Sequence, residues 1–145
     1  MATGGAFVGP GRQNRFALDV RAFVDKAKGN TDVVIRKVAV EMLDRIVVRT
    51  PVDTGRARAN WQTTIGNAAF SPVDKTDPSG GSAKAAGGAV IASMNLGSTV
   101  WLSNALPYAL RLEYGSSQQA PAGMVRVTVA EFQGLVATLA GQVNR

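Results

Sequence analysis

Apolar residues recur at helical spacing in three stretches of the chain and alternate with polar residues in two. Phe16, Val20, Phe23, Val24 and Ala27 line one side of a predicted amphipathic helix over residues 16–28. Gly29-Asn30 is expected to end it, and Asn30 or Thr31 to cap a second helix over residues 31–49. Ile35, Val38, Ala39, Met42, Leu43 and Ile46 form the predicted core face of that helix. Asp32 falls in its first turn and Arg45 and Arg49 in its last, each sign favourable to the helix dipole. Val33, Val40 and Val47 repeat every seven residues on another side. One apolar face serves a monomer, so the second marks these three valines as candidate subunit contacts, although valines also occur singly on ordinary surfaces.

Thr50-Pro51 is a stop signal, because proline lacks the amide donor, clashes with the turn behind it and pushes Thr50 out of helical geometry. Asp53 and Thr54 then offer side-chain oxygens to the free amides of a short turn over residues 55–60. Residues 61–66 (WQTTIG) and 99–103 (TVWLS) predict two half-buried strands, with Trp61 and Trp101 in the core. Between them, residues 67–81 are rich in Pro, Asp, Ser, Lys and Gly and long for a plain connection. Ser82 is expected to cap a helix reaching residue 94, weakened by Gly87-Gly88 at about 1 kcal/mol each. Leu106-Pro107 starts a short helical turn, PYALRLEY, which Gly115 stops. After the loop SSQQAPAG, the residues Val125, Val129, Phe132, Val136, Leu139 and Val143 predict one last helix. The sum is an α+β domain over residues 15–145, an antiparallel sheet packed with about three helices. A projecting excursion over residues 67–88 and a flexible arm over residues 1–14 complete it.

Composition narrows the chemistry. Apolar residues at 46% against 18% charged exclude wholesale disorder. No apolar run approaches the roughly 20 residues that cross a bilayer. The Gly-rich N-terminus lacks the charged-then-apolar order of a signal peptide. Cysteine and histidine are both absent, which removes disulfides, thiolate chemistry, imidazole bases and most transition-metal sites. The expectation is a chain with no cofactor, no metal and no enzymatic activity. Net charge is +6, and residues 1–60 hold eleven Lys/Arg against six Asp/Glu. Arg45, Arg49, Arg56 and Arg58 crowd the corner between the long helix and the first strand. Such a cluster attracts nucleic acid or an acidic protein surface, or else is a solvated face with local ion pairs.

Two stretches carry candidate chemistry. The first, RTPVDTGRARANW, contains Asp53-Thr54-Gly55, the triplet that aspartic proteases use. Those enzymes need two such carboxylates sharing a proton, often one from each half of a dimer. Here the triplet follows a helix, and Arg56 and Arg58 would favour the ionised form of Asp53, so helix capping is the preferred reading. The second is NALPYALRLEYG, in which Tyr108, Leu112 and Leu110 make an apolar patch beside Glu113. Its structural reading has the aromatics packing on the Trp61 strand and Glu113 accepting hydrogen bonds. Its functional reading is a subunit contact, with an arginine of a neighbouring corner as partner of Glu113.

Taken together, TPVDTGRARANW and LPYALRLEYGSSQQAPAGMVRVTVAEF resemble the tail-completion, or head-to-tail joining, proteins of long-tailed bacteriophages, also called minor tail components. Pro51, Val52, Asp53, Thr54, Gly55 and Arg56 match the first part of that pattern; Tyr108, Ala109, Glu113, Tyr114 and Gly115 match the second; Pro121 begins the third. Order and spacing agree over roughly residues 16–140. The resemblance implies a non-enzymatic virion protein, made in the host bacterial cytoplasm and located at the neck or tail top. Its subunits would form a homo-oligomeric ring, sixfold, around the channel through which the genomic DNA passes. Its partners would be the head-side connector and the tail tube or terminator proteins, with no membrane involved. Pro51, Asp53, Thr54, Gly55, Arg56, Trp61, Tyr108, Glu113, Tyr114 and Gly115 are then motif or interface residues. Two other classes stay open: a nucleic-acid-binding module, on the strength of the basic N-terminal half, and a dimeric aspartic-type protease using Asp53.

Overall fold

One long helix forms the spine, and it is longer than the pattern implied. The computed structural model describes residues 10–143, with side chains from residue 29 onward. Helix α1 runs without interruption over Pro10–Arg49. Pro10 opens it, where a missing amide and a fixed φ do no harm. The expected break at Gly29-Asn30 does not occur. A helix-interior glycine costs about 1 kcal/mol, too little to stop a helix that gains a hydrogen bond with every further residue. Asn30 and Thr31 are therefore helix interior rather than caps. The expected arm over residues 1–14 lies outside the described residues up to residue 9, and residues 10–14 belong to α1. The apolar side chains expected on residues 16–28 also lie outside the described residues.

Thr50-Pro51 does end the helix. A single turn, α2 (Arg56–Ala59), leads into β1 (Trp61–Ile65). Helix α3 (Gly81–Ser93) follows, then β2 (Val100–Asn104), the short α4 (Ala109–Glu113), α5 (Val125–Ala130) and α6 (Phe132–Val143). Strands β1 and β2 make a two-stranded antiparallel sheet, with Trp61 opposite Asn104, Thr63 opposite Leu102 and Ile65 opposite Val100. The class is thus α+β. The single C-terminal helix expected from residue 125 is interrupted at Glu131 and becomes α5 and α6. No described helix is long and apolar enough to cross a membrane.

The core lies between α1, α3 and one face of the sheet. It gathers Leu43, Ile46 and Val47 from α1, Trp61 from β1, and Ile91 from α3 together with Met94 just beyond it. Two polar anchors pass through it. Thr50 Oγ1 donates to the Ile46 carbonyl at 2.7 Å and accepts the Trp61 indole N–H at 2.7 Å, tying the start of the sheet to the end of α1. Asn60 is fully buried; its amide donates to the carbonyls of Arg56 and Val73 and its oxygen accepts the Val73 amide N–H. Residues 67–80 are fastened down by that bond, by Gln62 on the Ser71 carbonyl and by Arg58 on the Pro78 carbonyl. Residues 81–88 of the expected excursion form the first part of α3.

Two burial expectations fail on the sheet and on α1. Trp101 is 43% exposed, because its position opposite Thr64 puts it on the sheet face turned away from the core. Val47 is fully buried against Gly80 and belongs to the core, whereas Val33 and Val40 are 41% and 44% exposed. The heptad stripe is therefore not one surface. A straight helix falls about 20° short of two full turns every seven residues, and the elements folded over the C-terminal end of α1 cover only the last member of the stripe.

Candidate functional site

The corner between α1 and β1 is built from capping contacts. Residues 50–55 turn the chain, and the Arg58 guanidinium reaches back over them. It donates to the carbonyls of Thr50 and Val48 at 2.9 and 2.8 Å, filling acceptors that the end of α1 leaves open. Thr54 Oγ1 accepts the Arg56 amide N–H at 3.3 Å. Asp53, expected to cap this turn, does not: its exposed carboxylate makes no hydrogen bond or ion pair among the described residues. Gly55 accounts for the third residue of the triplet. Its φ is 89°, and a Cβ there would run into the backbone of Asp77 and Pro78, which crosses directly above it. The Gly55 carbonyl accepts the Asp77 N–H at 3.1 Å, so the crossing is bonded as well as close.

Residues 108–126 form the other half. Glu113 is the capping carboxylate of this region, and it serves a helix far along the chain. It accepts the amide N–H groups of Met124, Val125 and Arg126 at 2.8–2.9 Å, covering the start of α5. Burial pushes its pKa up, but the amides of Val125, Arg126 and Met124 and the Arg126 guanidinium together pull it further down, below the usual carboxylate value. Its ion-pair partner is Arg126 of the same chain at 3.1 Å, so the expected arginine of a neighbouring corner is not needed. Arg126 also lies over the Tyr114 ring, 5.2 Å from its centre. Gly115 stops α4 at φ 88°, where a Cβ would strike the Pro121 carbonyl.

These two halves, far apart in sequence, close on one cleft of about 210 Å³. The corner contributes Pro51, Asp53, Gly55 and Arg56; the other wall carries Tyr108, Leu112 and Gln119. Gln119 clamps them by accepting the Val52 N–H at 2.9 Å and donating to the Val52 carbonyl at 3.1 Å. Among the described residues, no carboxylate other than Asp53 lines the cleft. Tyr108 therefore faces the corner rather than packing on the Trp61 strand, and Trp61 itself lies in the core. Leu110 and Tyr114 stand out into solvent on α4, and Leu112 reaches the core edge.

The arginines of the corner are mostly engaged. Arg49 donates two hydrogen bonds to Glu131 at 2.7 and 2.9 Å and one to Thr128 Oγ1. Arg45 joins Glu41 to Glu131. Hydrogen bonds from Arg49 and then Arg45 hold the Glu131 pKa down at about 2. Of the four corner arginines, only the side chain of Arg56 has no partner among the described residues.

Sequence reasoning missed three determinants here. Asp77 caps α3 in place of Ser82, taking the Ser79 hydroxyl and the amide N–H groups of Ser79 and Ser82, which hold its pKa well below the usual carboxylate range. Asp-Pro-Ser before a helix is a legible signal for such a turn. Gln119 and the Glu131 network carried no local signal, since their partners lie 67 and 82 residues away. Comparison with family models, curated proteins and solved structures gives no match.

Proposed function

We propose that this chain is a structural virion protein that completes the top of a phage tail as a closed sixfold ring around the DNA channel and joins it to the head-side connector. One observation carries the reading. The two stretches on which the resemblance rests come together around a single cleft, and their residues divide into two groups. Gly55, Glu113, Gly115 and Gln119 build the cleft. Asp53, Arg56 and Tyr108 line it with side chains that make no hydrogen bond or ion pair of their own among the described residues. Charged and aromatic groups held ready on a rigid frame suit docking to another protein surface. The resemblance implies a non-enzymatic role. Binding nucleic acid through the corner is less favoured, because Arg45, Arg49 and Arg58 are already committed to Glu131 and to backbone carbonyls.

The test is complementation. Purified protein added to heads and tails that lack it should restore joined particles, and native mass measurement should show a closed ring. Asp53→Ala with Arg56→Ala should leave the fold unchanged and lower the yield of joined particles at least tenfold. Full joining by that variant, or no joining by the intact protein, would overturn the reading.

A further inference from the structure

An apolar groove of about 510 Å³ runs between α1, β2 and the α5–α6 pair. Ile35, Val38 and Met42 form its α1 wall, Leu102 its floor, and Val129 and Phe132 its far rim. Val129 and Phe132 are 54% and 43% exposed, an apolar edge turned to water beside an open channel. A surface of this kind marks a place where another element packs.

The flanking helices stop short of the N-terminal part of α1. Helix α3 runs antiparallel to it, from Lys84 beside Asp44 to Arg36, which donates to the Ile91 and Ala92 carbonyls at the far end of α3. Helix α6 starts beside Arg45 and rises only about 18 Å, which brings it level with Val33. The part of α1 that neither is long enough to reach carries Phe16, Val20, Phe23, Val24 and Ala27 at helical spacing.

We propose that the groove receives residues 16–28 of a second copy of this chain. Had α1 turned at Gly29-Asn30, that segment could have folded back on its own groove; the uninterrupted helix carries it to a neighbour instead, as in a domain swap. Donor segment and acceptor groove are different surfaces, so reciprocal exchange closes a twofold dimer, whereas one-way exchange runs head-to-tail into a ring or a filament. The contact deepens the ring reading above by naming what joins its subunits, yet it stands on the groove and not on the virion role.

Two full-length variants test it. Val129→Glu with Phe132→Glu spoils the groove at exposed positions, and Phe16→Glu with Phe23→Glu spoils the segment. The intact chain should form a multimer, and each variant alone should run at the 15.1 kDa subunit mass. Mixed in equal amounts, the variants should give a dimer and nothing larger, because one sound groove then meets one sound segment. Titrating the groove variant into the intact chain should shorten its assemblies, a measurement that does not depend on the segment variant folding. A groove variant that keeps the intact assembly, or an intact chain that is monomeric, would overturn the proposal. Loss of head-to-tail joining with the assembly intact in solution counts against the virion role alone.

Discussion

The carboxylates of Asp53 and Glu113 belong to the two motif stretches and have opposite surroundings. Asp53 is exposed and unbonded among the described residues, while Glu113 covers three amides at the start of α5. Removing a side chain that touches nothing changes stability within about 0.5 kcal/mol. Removing one that satisfies buried donors strands them, at about 1–3 kcal/mol. Asp53→Ala and Asp53→Asn should therefore melt like the intact protein, and Glu113→Ala should melt lower. A clear stability loss in Asp53→Ala would mean that the carboxylate caps the turn after all. The triplet itself was legible in the sequence, but its cause was not. Gly55 is glycine because Asp77 and Pro78 cross above it, and nothing near residue 55 announces a crossing made twenty-two residues later.

At the scale of elements, α3 separates two glycines that look alike in sequence. A Cβ on Gly87 would run into Leu43 and come within 2.5 Å of Thr63 Oγ1, whereas a Cβ on Gly88 would meet nothing within 4 Å. Both replacements by alanine gain helix propensity of about 1 kcal/mol. Gly87→Ala must also force apart the α1–α3–β1 packing, at about 1–3 kcal/mol. Chemical denaturation should show Gly88→Ala more stable than the intact chain and Gly87→Ala less stable. Equal gains would show that α3 does not pack as closely as described. The existence of α3, both strands and the stop at Thr50-Pro51 was readable, since periodicity and turn residues act locally. The continuity of α1 and the interruption at Glu131 were not readable. The first depends on helix propagation overriding a weak breaker; the second falls at the residue that Arg45 and Arg49 hold from across the fold.

In the whole molecule, the C-terminal helices meet α1 along an open groove and are tied to it by polar bonds as well as by packing. Val125, Val129, Phe132 and Val136 line the groove instead of filling it, while Glu131 is bonded by both Arg45 and Arg49 at the head of α6. The helical face predicted for this region is present, then, but it borders open space. That arrangement has a pH signature. The Glu131 pKa is about 2 in the folded chain against an ordinary 4.5, so between those values the unfolded chain binds the extra proton. The stabilisation is fully present above about pH 4.5 and is lost as pH falls toward 2. Acidification through that window should release α6 from α1 before the β1–β2 sheet and α3 give way. Hydrogen exchange followed residue by residue would show amides 132–143 losing protection first. Glu131→Gln should lose that protection already at neutral pH and show a flatter acid response. If α6 and the sheet lose protection together in the intact chain, apolar packing rather than the Glu131 bonds holds the C-terminal helices in place.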